Sequence, residues 1–221
     1  MISAILLAAG QSKRMKGENK LTKKIQNVPL IKLSVKNILA SSIDELIIVL
    51  GYQKEIIEKI ISKSEKIKFV FNKDFESGMA SSIKVGLGHI SNTTEAFFIC
   101  LGDMPMVSSD IYNQLIKSRN HKDILIPTYN GQQGNPVLFN KSMREKIVSI
   151  KGDAGAKKIL ELNTNLILSF LSISFSIISL WYPKTTTISL IELFKILFNA
   201  HFIKVKWIVS RGSSPYNFPI K

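Results

Sequence analysis

The residues best suited to chemistry lie in a glycine-containing segment near the start of the chain. The segment reads Leu7-Ala8-Ala9-Gly10-Gln11-Ser12-Lys13-Arg14-Met15 and is followed by Lys20. Small residues let the backbone approach a ligand closely, and successive backbone N–H groups at such a turn bind anionic oxygens. Arg14 adds a planar guanidinium and Lys20 a point charge, which are the two kinds of cation that bind phosphate. The segment therefore predicts a polyphosphate-binding loop.

The spacing of this loop excludes two common phosphate-binding motifs. Six residues separate Gly10 from Gly17 and no Lys-Ser or Lys-Thr pair follows, so the loop is not a Walker A motif. It also lacks the G-x-G-x-x-G pattern of dinucleotide-binding folds. Taken alone, the loop is equally compatible with a glycine turn that carries solvated bases, and the interpretation needs a second feature.

That second feature is a carboxylate at the end of another apolar segment. Residues 97–101 (Phe-Phe-Ile-Cys-Leu) predict a buried strand that leads into Gly102-Asp103-Met104-Pro105. Asp103 would emerge at the edge of the sheet where the glycine loop also emerges. Mg²⁺ prefers one or two carboxylates together with phosphate oxygens and water, so Asp103 suits this metal. Capping of a helix or turn is the alternative role for Asp103, and Cys100 is predicted to be a core residue.

The elements that must position these residues alternate along the chain. The predicted strands are Ile2–Ala8, Glu45–Leu50, Ile67–Asn72, Ala96–Leu101, Ile124–Thr128 and Pro136–Phe139. The predicted helices are Leu30–Leu39, Lys54–Ser62, Ala80–Ile90, Asp110–Lys117, Lys141–Val148 and Ala154–Leu162. Most of the strands are continuous apolar runs, which is typical of strands covered by helices on both faces. The alternation predicts an α/β fold, a three-layer α/β/α arrangement around a mostly parallel sheet, with ligands bound beyond the carboxyl ends of the strands.

Composition limits the class of protein. Of the 221 residues 45% are hydrophobic and 21% are charged, which predicts a folded chain. A single cysteine excludes an internal disulfide framework and fits a reducing compartment. The net charge of +14 is compatible with nucleic acid, an acidic membrane surface, a polyanionic small substrate or simply Lys-rich solvated helix faces. No nucleic-acid recognition motif accompanies it, and the first residues lack the pattern of a signal peptide, so we expect a cytoplasmic protein that does not bind nucleic acid.

The last quarter of the chain has a different composition. Residues 162–221 carry one acid, Glu192, against six bases, whereas residues 1–161 hold the other 15 acids. The segment Leu166–Tyr182 has seventeen uncharged residues, five of them serine. A membrane span, a pair of buried strands and a segment foreign to the ancestral fold, such as an out-of-frame translation, all remain open. We predict a C-terminally incomplete domain at residues 1–161 and an atypical, acid-poor tail at residues 162–221.

Together, the segments Leu7–Lys20 and Leu101–Pro105 resemble the MobA-like NTP transferase family, and within it the molybdenum cofactor cytidylyltransferases. Three further segments agree with this branch, namely Ser77–Ile83, Gln133–Val137 and Gly152–Ala156. Five segments in the family order are much more specific than any one of them. The resemblance extends from residue 2 to about residue 161.

The resemblance implies a fold of the nucleotide-diphospho-sugar transferase type. It also implies transfer of CMP from CTP to a phosphorylated acceptor, molybdopterin in this branch, with release of pyrophosphate. By similarity, Arg14, Lys20 and Asp103 are the catalytic residues, and Asp103 holds Mg²⁺. The implied nucleotide-binding residues are Leu7, Ala8, Ala9, Gly10, Ser12, Arg14, Lys20, Gly78, Met79, Ser81 and Ser82. The implied acceptor-binding residues are Gly134, Asn135, Pro136 and Asp153.

One position in the loop bears on the nucleotide. The family pairs Ala-Ala-Gly in this loop with cytidine and Ala-Gly-Gly with guanosine, so Ala9 favours CTP. A transferase that uses GTP, or a sugar or alcohol phosphate as acceptor, stays an alternative. A molybdoenzyme or its maturation factor is left open as a further partner. A membrane is not expected as a partner, although the segment Leu166–Tyr182 does not exclude it.

The sequence departs from the family pattern in two places. Lys16 stands where the family usually has glycine, although the spacing from Arg14 to Lys20 is kept. The family also ends with a strand and an Asp-x-Asp-Thr-Pro-like segment that gives the metal a second carboxylate, and nothing after Glu161 resembles it. We therefore expect weak turnover or none from this chain, and a nucleotide-binding protein without turnover is the alternative function.

Overall fold

The computed structural model describes residues 1–15, 18–119, 123–129, 132–149 and 168–172. All of these residues belong to one compact unit, Met1–Lys184. The predicted helix Ala154–Leu162 and the candidate acceptor residue Asp153 lie outside the described residues. Within the described residues, no helix is both long enough and apolar enough to cross a membrane.

The strands form one large sheet and one small hairpin. The strands of the large sheet are β1 (Ile2–Ala8), β4 (Glu45–Leu50), β5 (Ile67–Phe71), β6 (Ala96–Leu101), β7 (Ile124–Tyr129), β8 (Gln132–Gln133), β9 (Val137–Asn140) and β10 (Leu168–Ser172). Their order is β10-β7-β9-β6-β1-β4-β5, with β8 paired to β7. The hairpin consists of β2 (Lys24–Ile25) and β3 (Val28–Pro29).

The large sheet is mostly parallel, as predicted. Parallel pairs join β1 to β4 and β6, β4 to β5, and β7 to β10. Strand β9 runs antiparallel to both of its neighbours, β6 and β7, and β8 runs antiparallel to β7. Strand β10 lies within the tail predicted at residues 162–221, whose boundary stays a prediction.

Five α-helices connect and cover the described part of the sheet: α1 (Leu30–Leu39), α2 (Lys54–Ile60), α3 (Met79–Leu87), α4 (Ser109–Lys117) and α5 (Arg144–Val148). Strands β1, β4 and β6 and helix α1 have the bounds predicted from sequence. Helix α2 ends before the predicted Ser62, because Ile61 is extended and buried. The segment predicted as one helix at residues 141–148 begins as a 3₁₀ turn, Lys141–Met143, in which the Ser142 N–H donates to the capping Asn140 side chain.

Two apolar cores lie on opposite faces of the sheet. Consecutive residues of β1 point to opposite faces, so Leu6 belongs to one core and Ile5 to the other. The first core takes its helical side chains from α1, α2 and α4, among them Ile31, Ile57 and Leu115. The second core takes them from α3 and α5, among them Ile83, Leu87 and Ile147. This arrangement confirms the predicted three-layer α/β/α fold.

The strand register brings several loops to one edge of the sheet. The last residues of β1 pair with the last residues of its neighbours, Leu7 with Leu101 and Ala8 with Leu50. Since β9 is antiparallel, its first residue, Val137, lies opposite Ile99 near the carboxyl end of β6. The loops after β1, β4 and β6 and the loop before β9 therefore share the edge where ligands bind in such sheets.

Candidate active site

Lys20 and Asp103 meet at this carboxyl edge. The Lys20 Nζ atom donates a hydrogen bond to Asp103 Oδ2 at 3.1 Å, and the two side chains are only 14% and 26% exposed. The two residues are 83 positions apart in the chain. They meet because β1 and β6 are adjacent parallel strands whose following loops leave the sheet side by side. The convergence expected of the glycine loop and the aspartate is thus present for these two side chains.

The backbone of Lys20 is fixed by its neighbours. Its N–H donates to Ser12 Oγ at 3.0 Å, and Ser12 holds a left-handed φ of 51°. Asn19 Oδ1 accepts the N–H of Leu21 at 3.0 Å and starts the 3₁₀ turn Lys20–Thr22. Leu21 is buried in the first core. The Lys20 side chain therefore extends from a rigid base, and Arg14 lies on the preceding 3₁₀ turn, Lys13–Met15.

The segment that carries Asp103 is fixed just as firmly. Gly102 donates its N–H to Leu7 O at 3.1 Å, which ties the end of β6 to the end of β1. A Cβ atom on Gly102 would lie 2.9 Å from Ile31 Cδ1 and 3.1 Å from Leu7 O, so a side chain here would meet both the first core and the backbone. Glycine is therefore the residue that permits this close approach of the segment to the end of β1 and to α1.

Helix α1 holds the same segment from the other side. The buried Ser34 hydroxyl donates to Gly102 O at 2.9 Å, the nearer of two carbonyls within its reach. Asn37 Nδ2 donates to Pro105 O at 2.8 Å. The two carbonyls, of Gly102 and Pro105, lie on either side of Asp103 in the chain. The sequence analysis missed both of the donors, Ser34 and Asn37. The available signal was a serine within the apolar stripe of α1, followed by an asparagine three residues later on the same face.

The loop after β4 supports the glycine loop. Tyr52 N donates to Ala9 O at 3.2 Å, and a Cβ atom on Gly51 would lie 2.7 Å from both Ala9 Cβ and Phe75 Cβ. The Ala9 side chain is buried against this loop. Gln11 Nε2 also donates to Glu76 Oε1 at 2.7 Å, which joins the glycine loop to the 3₁₀ turn Phe75–Ser77.

The segment Gly78–Ser82 forms the start of α3 at the same edge. Gly78 adopts a φ of 108°, a conformation that favours glycine, and Met79 is the exposed first residue of the helix. The buried Asn72, directly after β5, donates through Nδ2 to Ser81 Oγ at 2.8 Å and to Ser82 Oγ at 3.0 Å. Both serine hydroxyls are thus engaged inside the protein. Sequence reasoning missed Asn72, whose only signal was a polar side chain at the end of an apolar strand.

The candidate acceptor residues lie farther along the edge. Gly134 donates its N–H to Pro127 O at 2.8 Å, and Asn135 and Pro136, joined by a cis peptide bond, lead into β9. Because β9 pairs with β6, these residues emerge at the same edge as Asp103.

Within the described residues, no three His, Cys, Asp or Glu side chains are grouped closely enough to hold a metal ion. Asp103 is nevertheless partly exposed at a strand end and carries a carboxylate that a hard cation prefers. A metal here would draw its remaining ligands from phosphate oxygens and water. This donor set fits Mg²⁺, which keeps several waters and binds with phosphates rather than in a cage of protein ligands.

Cys100, only three residues before Asp103, takes no part in this chemistry. It is buried inside β6, and burial raises the pKa of its thiol to about 12. Burial also raises the pKa of the neighbouring Tyr112 well above its ordinary value, and the Tyr112 ring packs edge-on against Phe98. The prediction that Cys100 is a core residue is confirmed.

Comparison with known proteins gives a consistent result. The chain matches the family model described as the MobA-like NTP transferase domain over residues 4–166. It is 31% identical to molybdenum cofactor cytidylyltransferase of Escherichia coli over 63% of this chain and 70% of that protein. It is 28% identical to a probable molybdenum cofactor guanylyltransferase of Methanosarcina mazei over 66% of each chain.

A solved structure with the same fold is Rv0371c of Mycobacterium tuberculosis. It superposes with a TM-score of 0.71 at 21% identity, covering 78% of this chain and 87% of that one. The same protein has also been solved in complex with manganese.

Proposed function

Because the chain is a nucleotidyltransferase of the MobA-like NTP transferase family, we propose that it transfers CMP from CTP to a phosphorylated acceptor and releases pyrophosphate. The acceptor that we propose is molybdopterin, the organic part of the molybdenum cofactor. The observation that carries the proposal is the meeting of Lys20 and Asp103 beside the glycine loop, at the edge where this fold binds ligands.

In this proposal the glycine loop holds the triphosphate. Backbone N–H groups from Ala8 to Ser12 bind phosphate oxygens, and Leu7 is the penultimate residue of the strand that leads into the loop. Arg14 orients the leaving pyrophosphate, and Lys20 stabilises the charge on the reacting phosphates. The Gly78–Ser82 segment, which Asn72 holds and which includes the exposed Met79, lines the base pocket.

We propose Mg²⁺ as the cofactor, held by Asp103. When bound, the metal supplies positive charge to the phosphate oxygens. The proposal is supported by the donor set at Asp103 and by the manganese complex of Rv0371c.

The reaction requires alignment of the acceptor phosphate with CTP and stabilisation of the charge on the phosphates, and it needs no covalent intermediate with the protein. An oxygen of the acceptor phosphate forms a bond to the α-phosphorus of CTP. The bond from the α-phosphorus to the oxygen that bridges to the β-phosphorus breaks, and the electron pair leaves with pyrophosphate. Positioning and electrostatic stabilisation provide most of the acceleration in phosphoryl transfer, and the rigid mounting of Lys20 and Asp103 supplies both.

The acceptor would enter from the side of β9. Gly134, Asn135 and Pro136 emerge there, and with Asp153 they form the proposed acceptor-binding group. Cytidine is favoured by Ala9 and by the cytidylyltransferase relative, whereas the guanylyltransferase relative keeps GTP as the competing nucleotide.

The test is release of pyrophosphate from purified protein with Mg²⁺, molybdopterin and either CTP or GTP. We expect release with CTP to exceed release with GTP at least tenfold, and Lys20→Ala and Arg14→Ala to lower it by more than tenfold each. Lys23→Ala is the matched control, because Lys23 lies just after the same turn but pairs with the exposed Glu18. Activity within threefold of wild type for both Lys20→Ala and Arg14→Ala would contradict the assignment.

We expect the turnover of this chain to be slow. The sequence after Glu161 has no Asp-x-Asp-Thr-Pro-like segment, and the described residues contain no group of three metal-binding side chains, so we expect the metal to have one protein carboxylate fewer. Tight binding of CTP without any release of pyrophosphate would favour the alternative, a nucleotide-binding protein that has lost turnover.

A further inference from the structure

The two groups assigned to metal and phosphate bind each other in this structure. The Lys20 ammonium lies 3.1 Å from Asp103 Oδ2, on the carboxylate proposed to hold the metal. One ammonium cannot neutralise this carboxylate and also bind a phosphate away from it. The function proposed above therefore requires the ion pair to open when the metal and the nucleotide arrive.

We infer that Lys20 makes the Asp103 site selective for a divalent cation that is already bound to a triphosphate, and that it excludes the free cation. This inference rests on the proposed function. Without nucleotide, the ammonium occupies Asp103 in place of a metal. With the metal–triphosphate complex, the ammonium moves to a phosphate oxygen and the carboxylate becomes available to the metal.

The exchange needs motion of one side chain only. The Lys20 backbone is held by Ser12 and by the turn that Asn19 caps, and Leu21 anchors the turn in the first core. The Asp103 segment is held by Ser34 and Asn37. Rotation about the flexible lysine stem can therefore carry the ammonium from one partner to the other while both loops keep their conformation.

Charge explains why a free cation and its nucleotide complex differ. A free divalent cation that displaces Lys20 leaves the ammonium next to a dication, without an anion of its own. The partial burial of the pair increases this repulsion, because screening by solvent is incomplete. A triphosphate brings its own anionic oxygens, which give the displaced ammonium a new partner. Metal and nucleotide should then strengthen each other's binding by the same factor.

A purely structural ion pair makes a different prediction. If the contact served only to join the two loops, neutralising Lys20 would loosen the site and weaken the binding of every ligand. If Lys20 competes with the metal, the same change strengthens the binding of free metal and weakens that of the metal–nucleotide complex. The opposite signs separate the two roles.

The experiment measures the affinity for Mn²⁺ by water-proton relaxation, with and without saturating CTP and in the absence of acceptor. The proteins are the full-length wild type, Lys20→Met, Lys20→Arg and the double variant Lys20→Met/Asp103→Asn. Lys23→Met is the control, since it removes a neighbouring ammonium from an exposed pair with Glu18. Thermal denaturation checks that each variant is folded.

For Lys20→Met we expect free Mn²⁺ to bind about fivefold more tightly than to the wild type, the effect of removing a competing ion pair worth about 1 kcal/mol. With CTP present, the same variant should bind Mn²⁺ at least fivefold more weakly. Lys20→Arg and Lys23→Met should resemble the wild type in the binding of free Mn²⁺.

Unchanged or weaker binding of free Mn²⁺ to Lys20→Met would overturn the inference. So would the tighter binding if it persisted in the double variant, because the metal would then lie away from Asp103. Failure of the wild type to bind CTP, whether Mn²⁺ is present or absent, would instead refute the proposed function. The comparison with free Mn²⁺ uses no nucleotide, so the two failures are distinguishable.

Discussion

The support of the Asp103 segment by α1 can be tested with a single hydroxyl. Ser34 is 3% exposed and donates to Gly102 O at 2.9 Å, immediately before Asp103. Ser34→Ala deletes this donor and leaves the Gly102 carbonyl buried without it. The change should affect both the stability of the fold and the position of the Asp103 carboxylate.

The magnitude follows from the burial of the carbonyl. A buried polar group that loses its partner costs about 1–3 kcal/mol, so the free energy of unfolding should fall by about that amount. In a domain of this size each kcal/mol corresponds to about 2–4 °C in Tm. The freed Asp103 segment should also lower the metal-dependent rate of pyrophosphate release, by about tenfold, because small displacements of a positioned group are costly to catalysis.

The assay combines thermal denaturation, the rate of pyrophosphate release as a function of Mg²⁺ concentration, and the affinity for CTP in the presence of a chelator. Ser34→Thr, which keeps the hydroxyl, should recover most of the lost rate. Ser41→Ala is the matched control, because Ser41 is similarly buried and its hydroxyl donates to Ile38 O at 2.6 Å, away from the site.

We expect Ser41→Ala to lose less stability than Ser34→Ala, because Ile38 O keeps the hydrogen bond from the Ser41 N–H, and only Ser34→Ala to require more Mg²⁺. CTP affinity without metal should be unchanged in both. An equal loss of Mg²⁺-dependent activity in the two variants would refute a positioning role and leave Ser34 as an ordinary stabilising residue.

Three further predictions concern the surroundings of the site. Gly102→Ala should lower the free energy of unfolding by about 1–3 kcal/mol in chemical denaturation, since its Cβ atom would crowd Ile31 and Leu7 O, whereas Gly10→Ala, with no atom within 4 Å of its Cβ, should not. Asn72→Ala should weaken CTP binding severalfold in isothermal titration, because the start of α3 loses both of its serine contacts; affinity equal to wild type would contradict this role. Iodoacetamide at pH 9 should modify Cys100 only in urea-unfolded protein. Folding raises the pKa of this thiol from 9.0 to about 12. The contribution of the buried thiol to stability should therefore be present below pH 9 and lost as the pH rises from 9 toward 12. Cys100→Ala should then reduce the fall in stability over that range, and rapid alkylation of the native protein would contradict the burial of the thiol.

The sequence by itself determined the central strands and the type of sheet. Strands β1, β4 and β6 are buried on both faces, so their sequences are almost entirely apolar, with Ser3 the one polar residue inside β1. The helices between these strands can likewise be predicted from the sequence, because their apolar residues recur with the helical period. Since parallel strands of this kind place their following loops at one edge, the glycine loop and Asp103 could be assigned to the same edge before any coordinates were known.

Only the tertiary structure decided how that edge is assembled. Lys20 and Asp103 are 83 positions apart in the chain, and they touch only because β1 and β6 are adjacent in the sheet. Ser34, Asn37 and Asn72 are ordinary polar residues in the sequence, and each acquires its role from a partner on another element. The residues of β9 likewise do not indicate its direction, which is apparent only from its antiparallel pairing with β6 and β7. Local patterns reflect burial and period, whereas the contacts that position a site arise between elements distant in the chain and exist only once the elements have packed.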